Sequence, residues 1–356
     1  MKEFSCKTRI VMGCPAAQVL KEQNYHKIMV VSDPFFAKNG TAEGLGRAAE
    51  GFVVFHKVTP DPSVALVAQA VAQLQQFEPD VVVALGGGSA MDCAKAMLYF
   101  SGKQIPLIAV PTTSGSGSEV TDFAILTHNG VKHPLVDRAL CPDMAILDGE
   151  MVASLPPGLI AEGGFDVLTH ALESWVAANA NPISDGLALE AFRTVYANLY
   201  PSFSGDKSVR YSIHVSSTMA GLAFTRAGLG VCHALAHALG GQFHVPHGRL
   251  NAILLPAVIA HNGAAERYAR LSRQSGLGGS SDTMAVRSLK NGLVRLRNQL
   301  GLPATLAEAG VENAVLRQKM PAICKAALED PCCVTNPTPV TEGLLRQILQ
   351  EVSGIG

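Results

Sequence analysis

A parallel-sheet α/β domain followed by an all-α domain is the fold class this sequence predicts, and three observations predict it. Up to about residue 150, short apolar runs alternate with segments of helical spacing, the pattern of βαβ units. Beyond Leu155-Pro156-Pro157-Gly158 the β-branched runs fade and helical periodicity dominates. A chain of 356 residues also exceeds one ordinary hydrophobic core. We therefore divide it into residues 1–157 and residues 158–356.

Four runs in the first part read as strands buried on both faces: Ile28 to Ser32 (IMVVS), Phe52 to Phe55 (FVVF), Val81 to Leu85 (VVVAL) and Leu107 to Val110 (LIAV). Between the second and third, Val64, Val67, Val71 and Leu74 recur at helical spacing. A parallel sheet binds ligands at the carboxyl ends of its strands, and unusual residues gather there. VVVAL runs into Gly86, Gly87, Gly88 and Ser89, and AMDCAKAM after them reads as a helix. Successive glycines let backbone N–H groups approach a phosphate, and a helix N-terminus adds its positive dipole end. A tight turn with nothing bound is the alternative, since this is neither a GxGxxG fingerprint nor a P-loop. A second loop, PTTSGSGSEVT, follows LIAV and offers hydroxyls from Thr112, Thr113, Ser114, Ser116 and Ser118. Asp33 ends the first of these strands. Its carboxylate can accept from an adenosine ribose and repel a 2′-phosphate, favouring NAD over NADP, or it can cap the turn before Pro34. It precedes the glycine loop, whereas an ordinary Rossmann unit places its acid after it. Asn129-Gly130 predicts a hairpin with Lys132 near its base, a solvated charge or a ligand contact.

Four of the 11 histidines, His233, His237, His244 and His247, crowd into residues 228–252. The run from Cys232 to Leu239 reads as a buried helix ended by Gly240-Gly241, with His233 and His237 on one face. Pro246 stiffens a loop that returns an imidazole toward that face. In GGFDVLTHALESW, Asp166 and His170 are again four apart on an apolar helix, and a carboxylate with several imidazoles is a donor set for one divalent ion. Any one histidine alone reads more readily as a hydrogen-bonded core residue, but their joint occurrence on apolar helix faces turns the reading toward a metal site.

Hydrophobic residues make up 48% of the chain and charged ones 16%, which excludes disorder. A net charge of -1 without basic blocks argues against nucleic acid or an acidic membrane as partner, leaving small-molecule chemistry. The eight cysteines show no CxxC spacing, so neither a zinc knuckle nor a disulfide framework is expected. MKEFSCKTRI lacks a signal-peptide core and no apolar run is long enough to span a bilayer, so we expect a soluble protein of the reducing cytoplasm.

Taken in order, GGGSAMDCAK, PTTSGSGSEVT, FDVLTHALES and AGLGVCHALAHALGGQFHVPHGRLNAILLP resemble the iron-containing, or group III, alcohol dehydrogenases, whose dehydroquinate synthase-like fold this implies. The likeness covers nearly the whole chain. Within the family, TPDPS and KHPLVDRALCPDMAILD resemble the propanol dehydrogenases of diol utilisation. The resemblance implies Asp166, His170, His233 and His247 as ligands of ferrous iron, or of zinc as in some members, and puts His237 beside the nicotinamide. It implies Asp33, Asp61, Gly86, Gly87, Gly88, Ser89, Thr112, Thr113, Lys132 and Leu159 around NAD(H). Asp61 departs from a common Asn, Ser116 from Thr, and Thr338 from the Arg of the C-terminal NPR. Gly163 replaces a frequent Thr, removing an expected cap before the first ligand helix, and Arg226 replaces a small polar residue near the substrate side.

The expected reaction is reversible hydride transfer between NAD(H) and a short primary alcohol or aldehyde, 1-propanol and propanal above all. The metal would polarise the substrate oxygen and His237 would relay the proton. A phosphate cradle in one domain and metal donors in the other predict an active site in the cleft between them. The competing readings are a 1,3-propanediol, lactaldehyde or butanol-type reductase, a zinc glycerol dehydrogenase or dehydroquinate synthase-like lyase, which His170 disfavours, and a non-catalytic metal- or nucleotide-binding protein. The resemblance also implies a homo-oligomer, at least a dimer, and recruitment of some members to a bacterial microcompartment.

Overall fold

The structure, a computed structural model, describes residues 4–128 and 131–354. One compact unit runs from Ser5 to Leu155 and the other takes in the chain from Pro156 onward.

In chain order the first unit contains β1 (Arg9–Met12), α1 (Ala16–Glu22), β2 (Lys27–Ser32), α2 (Pro34–Lys38), α3 (Thr41–Gly46), β3 (Gly51–Phe55), α4 (Val64–Phe77), β4 (Val81–Gly86), α5 (Gly88–Ser101), β5 (Leu107–Pro111), β6 (Phe123–His128), β7 (Val131–Val136) and β8 (Met144–Leu147). Six of these strands form one parallel sheet in the order β1-β8-β5-β4-β2-β3. Alternate residues face opposite sides. Met29, Val31, Val82 and Ala84 pack against α4 and α5, while Ile28, Val30, Val81, Val83 and Leu85 pack against α1 and α3. Coverage on both faces is why β2, β4 and β5 read as apolar runs rather than alternating ones. The chain leaves β2 toward one edge and β4 toward the other, so the strand order reverses between them, where an open α/β sheet opens its crevice. β6 and β7 pair antiparallel as the hairpin pattern predicts, Thr127 opposite Lys132. Asn129-Gly130 themselves lie outside the described residues. The short strand β8 is an addition to the predicted set.

The second unit is helical: α6 (Pro157–Val176), α7 (Pro182–Phe203), α8 (Arg210–Ala227), α9 (Val231–Phe243), α10 (His247–His261), α11 (Ala265–Gln274), α12 (Asp282–Gln299), α13 (Asn313–Glu329) and α14 (Glu342–Val352). α6 is its central helix, buried at every position from Gly164 to Val176 and packed on α7, α8 and α10. Pro157 opens it, where a missing N–H costs nothing. Among the described residues, no single helix is long and apolar enough to cross a membrane.

Three local expectations change. Gly240 and Gly241 do not end α9, which continues to Phe243 and closes on His244 in the left-handed conformation. A helical glycine costs only about 1 kcal/mol relative to alanine, which packing of the helix overrides. His247 is not a loop residue but the first residue of α10, with Pro246 at the cap position. Gly163 sits inside α6, far from any cap, so its replacement of Thr removes none.

Candidate functional site

The carboxyl ends of β2, β4 and β5 bring together Asp33, the Gly86 to Ser89 loop, Thr112 and Thr113. Asp33 follows β2, and Gly87 starts α5 as its cap residue. The Thr112 amide donates to the Gly86 carbonyl at 3.0 Å, joining the two loops. A Cβ at Gly87 would stand 3.0 Å from Thr113 Oγ1, and one at Gly88 3.3 Å from Ser116 Oγ, so side chains here would fill the cradle. The first N–H groups of α5, those of Gly88 and Ser89 among them, have no partner within their own helix, which leaves an anion-binding end. Asp33 does cap α2: its Oδ1 accepts from Phe35 N at 2.8 Å and Phe36 N at 3.2 Å. Its other oxygen faces Gly86, 3.9 Å from where a Cβ would stand. The cap thus occupies one carboxylate oxygen and leaves the other turned toward the glycine loop.

Asp61 is exposed and left-handed, φ 56°, in the turn before α4. Lys132 lies on β7 and its side chain is outside the described residues. Leu159, half exposed, is in the first turn of α6 and so in the other unit. A residue not expected from sequence, Lys95, is buried on α5. Its Nζ donates to Ser118 Oγ (2.9 Å), Thr121 O (3.0 Å), Thr121 Oγ1 (2.9 Å) and Phe123 O (2.9 Å). Asp92, one turn earlier, accepts from Ser118 Oγ and Ile125 N, both at 3.1 Å. Together they clamp the hydroxyl-rich loop to the glycine helix. Burial pulls Lys95 down to about 8, against the opposing charge of Asp92.

In the helical unit, Asp166, His233 and His247 place their ligand atoms within 4.8 Å of one another. Asp166 Oδ1 is the hub: His247 Nε2 lies 3.4 Å away, His233 Nε2 3.6 Å and His170 Nε2 3.8 Å. Donors about 2.0–2.2 Å from a common tetrahedral ion stand about 3.3–3.6 Å apart. The His247 and His233 separations match the edges of such a shell, and His170 at 3.8 Å stands just outside them. His233 Nε2 is buried and hydrogen-bonded to nothing, a cost of about 1–3 kcal/mol unless an ion occupies the space it faces. The ring's other nitrogen, Nδ1, donates to Glu173 Oε2 at 2.7 Å, which fixes the tautomer and turns the Nε2 lone pair toward Asp166. The residues present fit a divalent cation. Without one, burial alone would raise the Asp166 carboxyl, but the surrounding imidazoles overcome it and hold it well below its ordinary range. Burial likewise depresses His233, and the Asp166 and Glu173 carboxylates outweigh it, lifting the imidazole to about 9.

Sequence reasoning missed the groups that hold these donors. Glu173 is seven residues from Asp166 and three from His170, so helical spacing alone marks it. Its carboxylate also accepts from Gly230 N (3.0 Å) and Cys232 N (2.7 Å), capping α9. Asn251, one turn after His247, donates to Asp166 Oδ1 at 2.8 Å. Phe224 stacks on His170 at 4.3 Å, and His170 on His233 at 4.5 Å. His237 stacks on His247 at 5.1 Å, and its Nδ1 donates to Asp330 Oδ2 at 2.8 Å. Burial raises Asp330, yet the hydrogen bond from His237 wins and keeps it down to about 2. Asp330 is 93 residues from His237, so no spacing rule finds it. Arg226 sits two residues after Phe224 near the end of α8. Thr338 lies elsewhere in a polar knot, its Oγ1 3.2 Å from Asn262 Oδ1 and its carbonyl accepting from Asn336 at 2.8 Å.

Comparison with known proteins accounts for both halves. The iron-containing alcohol dehydrogenase model matches residues 8–149, and the model for the C-terminal part of the Fe-containing alcohol dehydrogenase family matches residues 160–353. The chain is 41% identical to 1-propanol dehydrogenase PduQ of Salmonella typhimurium, across 99% of this chain and 100% of that one. It superposes with a TM-score of 0.91 on an iron-containing alcohol dehydrogenase from Thermococcus thioreducens, 30% identical, covering 99% and 100% of the two chains. It superposes with a TM-score of 0.90 on sulfoacetaldehyde reductase from Bifidobacterium kashiwanohense in complex with NAD+, 26% identical, covering 100% of each. With family models matching most of its length, the chain belongs to the iron-containing alcohol dehydrogenase family.

Proposed function

We propose that this chain interconverts 1-propanol and propanal with NAD(H), within the NAD-linked, divalent-metal-dependent alcohol and aldehyde chemistry of its family. The observation that carries the reading is His233 Nε2, buried without a hydrogen bond and turned by Glu173 toward Asp166. We assign Asp166, His170, His233 and His247 to the metal. Bound there, the cation supplies Lewis-acid polarisation of the substrate oxygen.

The chain's residues do the rest. Asp166 balances the ion's charge, and Asn251 and Glu173 keep its ligands aimed. Phe224, stacked on His170, offers an apolar wall suited to a short alkyl chain. His237, held by Asp330, accepts the hydroxyl proton during oxidation and returns it during reduction, while the hydride passes between C1 of the alcohol and nicotinamide. In the first unit, the α5 end holds the pyrophosphate with Gly86, Gly87, Gly88, Ser89, Thr112 and Thr113, and the free oxygen of Asp33 favours NAD over NADP. Asp61, Lys132 and Leu159 complete this assignment. The division of labour is nucleotide binding in residues 1–157 and metal chemistry in residues 158–356. Homo-oligomeric assembly in the cytoplasm, or in a bacterial microcompartment, is the setting the resemblance to diol-utilisation enzymes implies.

The test is NADH consumption with an aldehyde panel, on protein loaded anaerobically with Fe(II). Propanal should give the highest kcat/KM, a chelator should abolish turnover, NADPH should serve poorly, and His233→Ala should lower kcat/KM by about 100-fold or more. Full activity in metal-stripped protein would sink the metal assignment, and preference for another aldehyde the substrate.

A further inference from the structure

We propose that His237, Asp330 and Cys332 form a second divalent-cation site, of nitrogen, oxygen and sulfur donors, that takes Zn2+ and shuts the enzyme when it fills. The ligand atoms of the three residues lie within 4.8 Å of one another, and none belongs to the Asp166 centre. The site is built. Asp330 Oδ1 accepts from the Cys332 amide at 2.8 Å, which leaves Oδ2 on the His237 Nδ1 proton at 2.8 Å and puts the thiol beside both. The neighbouring Cys333 is not a competing ligand, since its thiol donates to the Ala327 carbonyl at 2.9 Å.

The donor set decides the ion. The first centre offers one carboxylate and imidazoles, a hard-to-borderline shell suited to Fe(II). The second adds a thiolate, which favours zinc, and Zn2+ lies above Fe2+ in intrinsic affinity for such sites. Filling the site displaces the thiol proton and the Nδ1 proton to solvent, with no change of oxidation state. The inhibitory consequence rests on the proton-carrying role proposed for His237; the existence of the site does not.

Cobalt separates the two sites, because only a thiolate ligand gives an intense near-ultraviolet charge-transfer band. Metal-free full-length protein is titrated with Co2+ and then with Zn2+. The wild type should develop that band, and zinc should bleach it. Cys332→Ser should remove it and weaken zinc binding at least about tenfold, since even outer-shell changes cost about 10–100-fold. Cys333→Ser should keep it, as should His233→Ala, whose first centre is broken. Absence of the band in the wild type overturns the proposal even if Cys332→Ser fails to fold, and so does its persistence in Cys332→Ser. If excess Zn2+ fills the site but leaves propanal turnover of the Fe(II) enzyme unchanged, inhibition and the role of His237 fall while the site stands.

Discussion

Glu173 is not among the proposed ligands, yet the proposed metal centre leans on its carboxylate. It accepts the His233 Nδ1 proton at 2.7 Å and two amides at the start of α9, so orientation of the ligand and capping of the ligand's helix share one side chain. Glu173→Gln keeps the size but supplies only one oxygen and no charge. Metal affinity, measured by competition with a chelator, should fall about 10–100-fold, and unfolding free energy should drop about 1–2 kcal/mol through the weakened cap. Unchanged affinity would show that His233 is aimed by packing alone. The cluster around Asp166 was legible because Asp166 and His170, and again His233 and His237, stand four apart on apolar helices. The choice among four crowded histidines was not, since spacing cannot say which ring turns inward; family resemblance separated His247 from His237. Asp330 was invisible because its contact with His237 is created only by tertiary folding.

At the scale of the element, the centre is set by how closely α10 approaches α6. A Cβ at Gly248 would strike the backbone carbonyl of Glu162, and the Arg249 guanidinium bonds the Glu162 carboxylate at 2.6 Å in the same turn. Glu162 is one turn before Asp166 and Gly248 follows His247, so this contact fixes the 3.4 Å separation of the two donors. Gly248→Ala should push the helices apart. We expect a loss of about 1–3 kcal/mol in stability from overpacking, with metal content after dialysis falling more steeply than in a Glu162→Gln control that keeps the close approach. Strands β2, β4 and β5 were readable because burial on both faces leaves no polar residue to interrupt them. β8 escaped notice because its four residues are too few to establish a pattern between Asp143 and Asp148. The end of α9 was misplaced because glycine is a statistical stop signal, whereas here α13 and α10 pack against the helix through that turn.

For the whole molecule, the proposed donors to metal and to nucleotide are segregated: the former lie beyond Pro156, while the glycine and hydroxyl loops lie between Ser5 and Leu155. The fold class was legible because the period of apolar residues changes from strand runs to helical spacing within one chain, and that change reflects sheet burial giving way to helix packing. A ligand stabilises what it binds by RT ln(1 + [L]/Kd), about 4 kcal/mol at a thousandfold excess over Kd, and the stabilisation appears first in the elements whose opening breaks the site. The proposed metal donors come from α6, α9 and α10, so Fe(II) should slow amide hydrogen exchange in those three helices. NAD+ should instead slow exchange at the start of α5 and in the loop that Lys95 clamps between β5 and β6. Hydrogen exchange with each ligand alone resolves the two patterns peptide by peptide. If NAD+ protected neither loop, the cradle assigned to Gly86–Ser89 would be a turn and no more; if Fe(II) protected α9 without α6, Asp166 would not be a ligand.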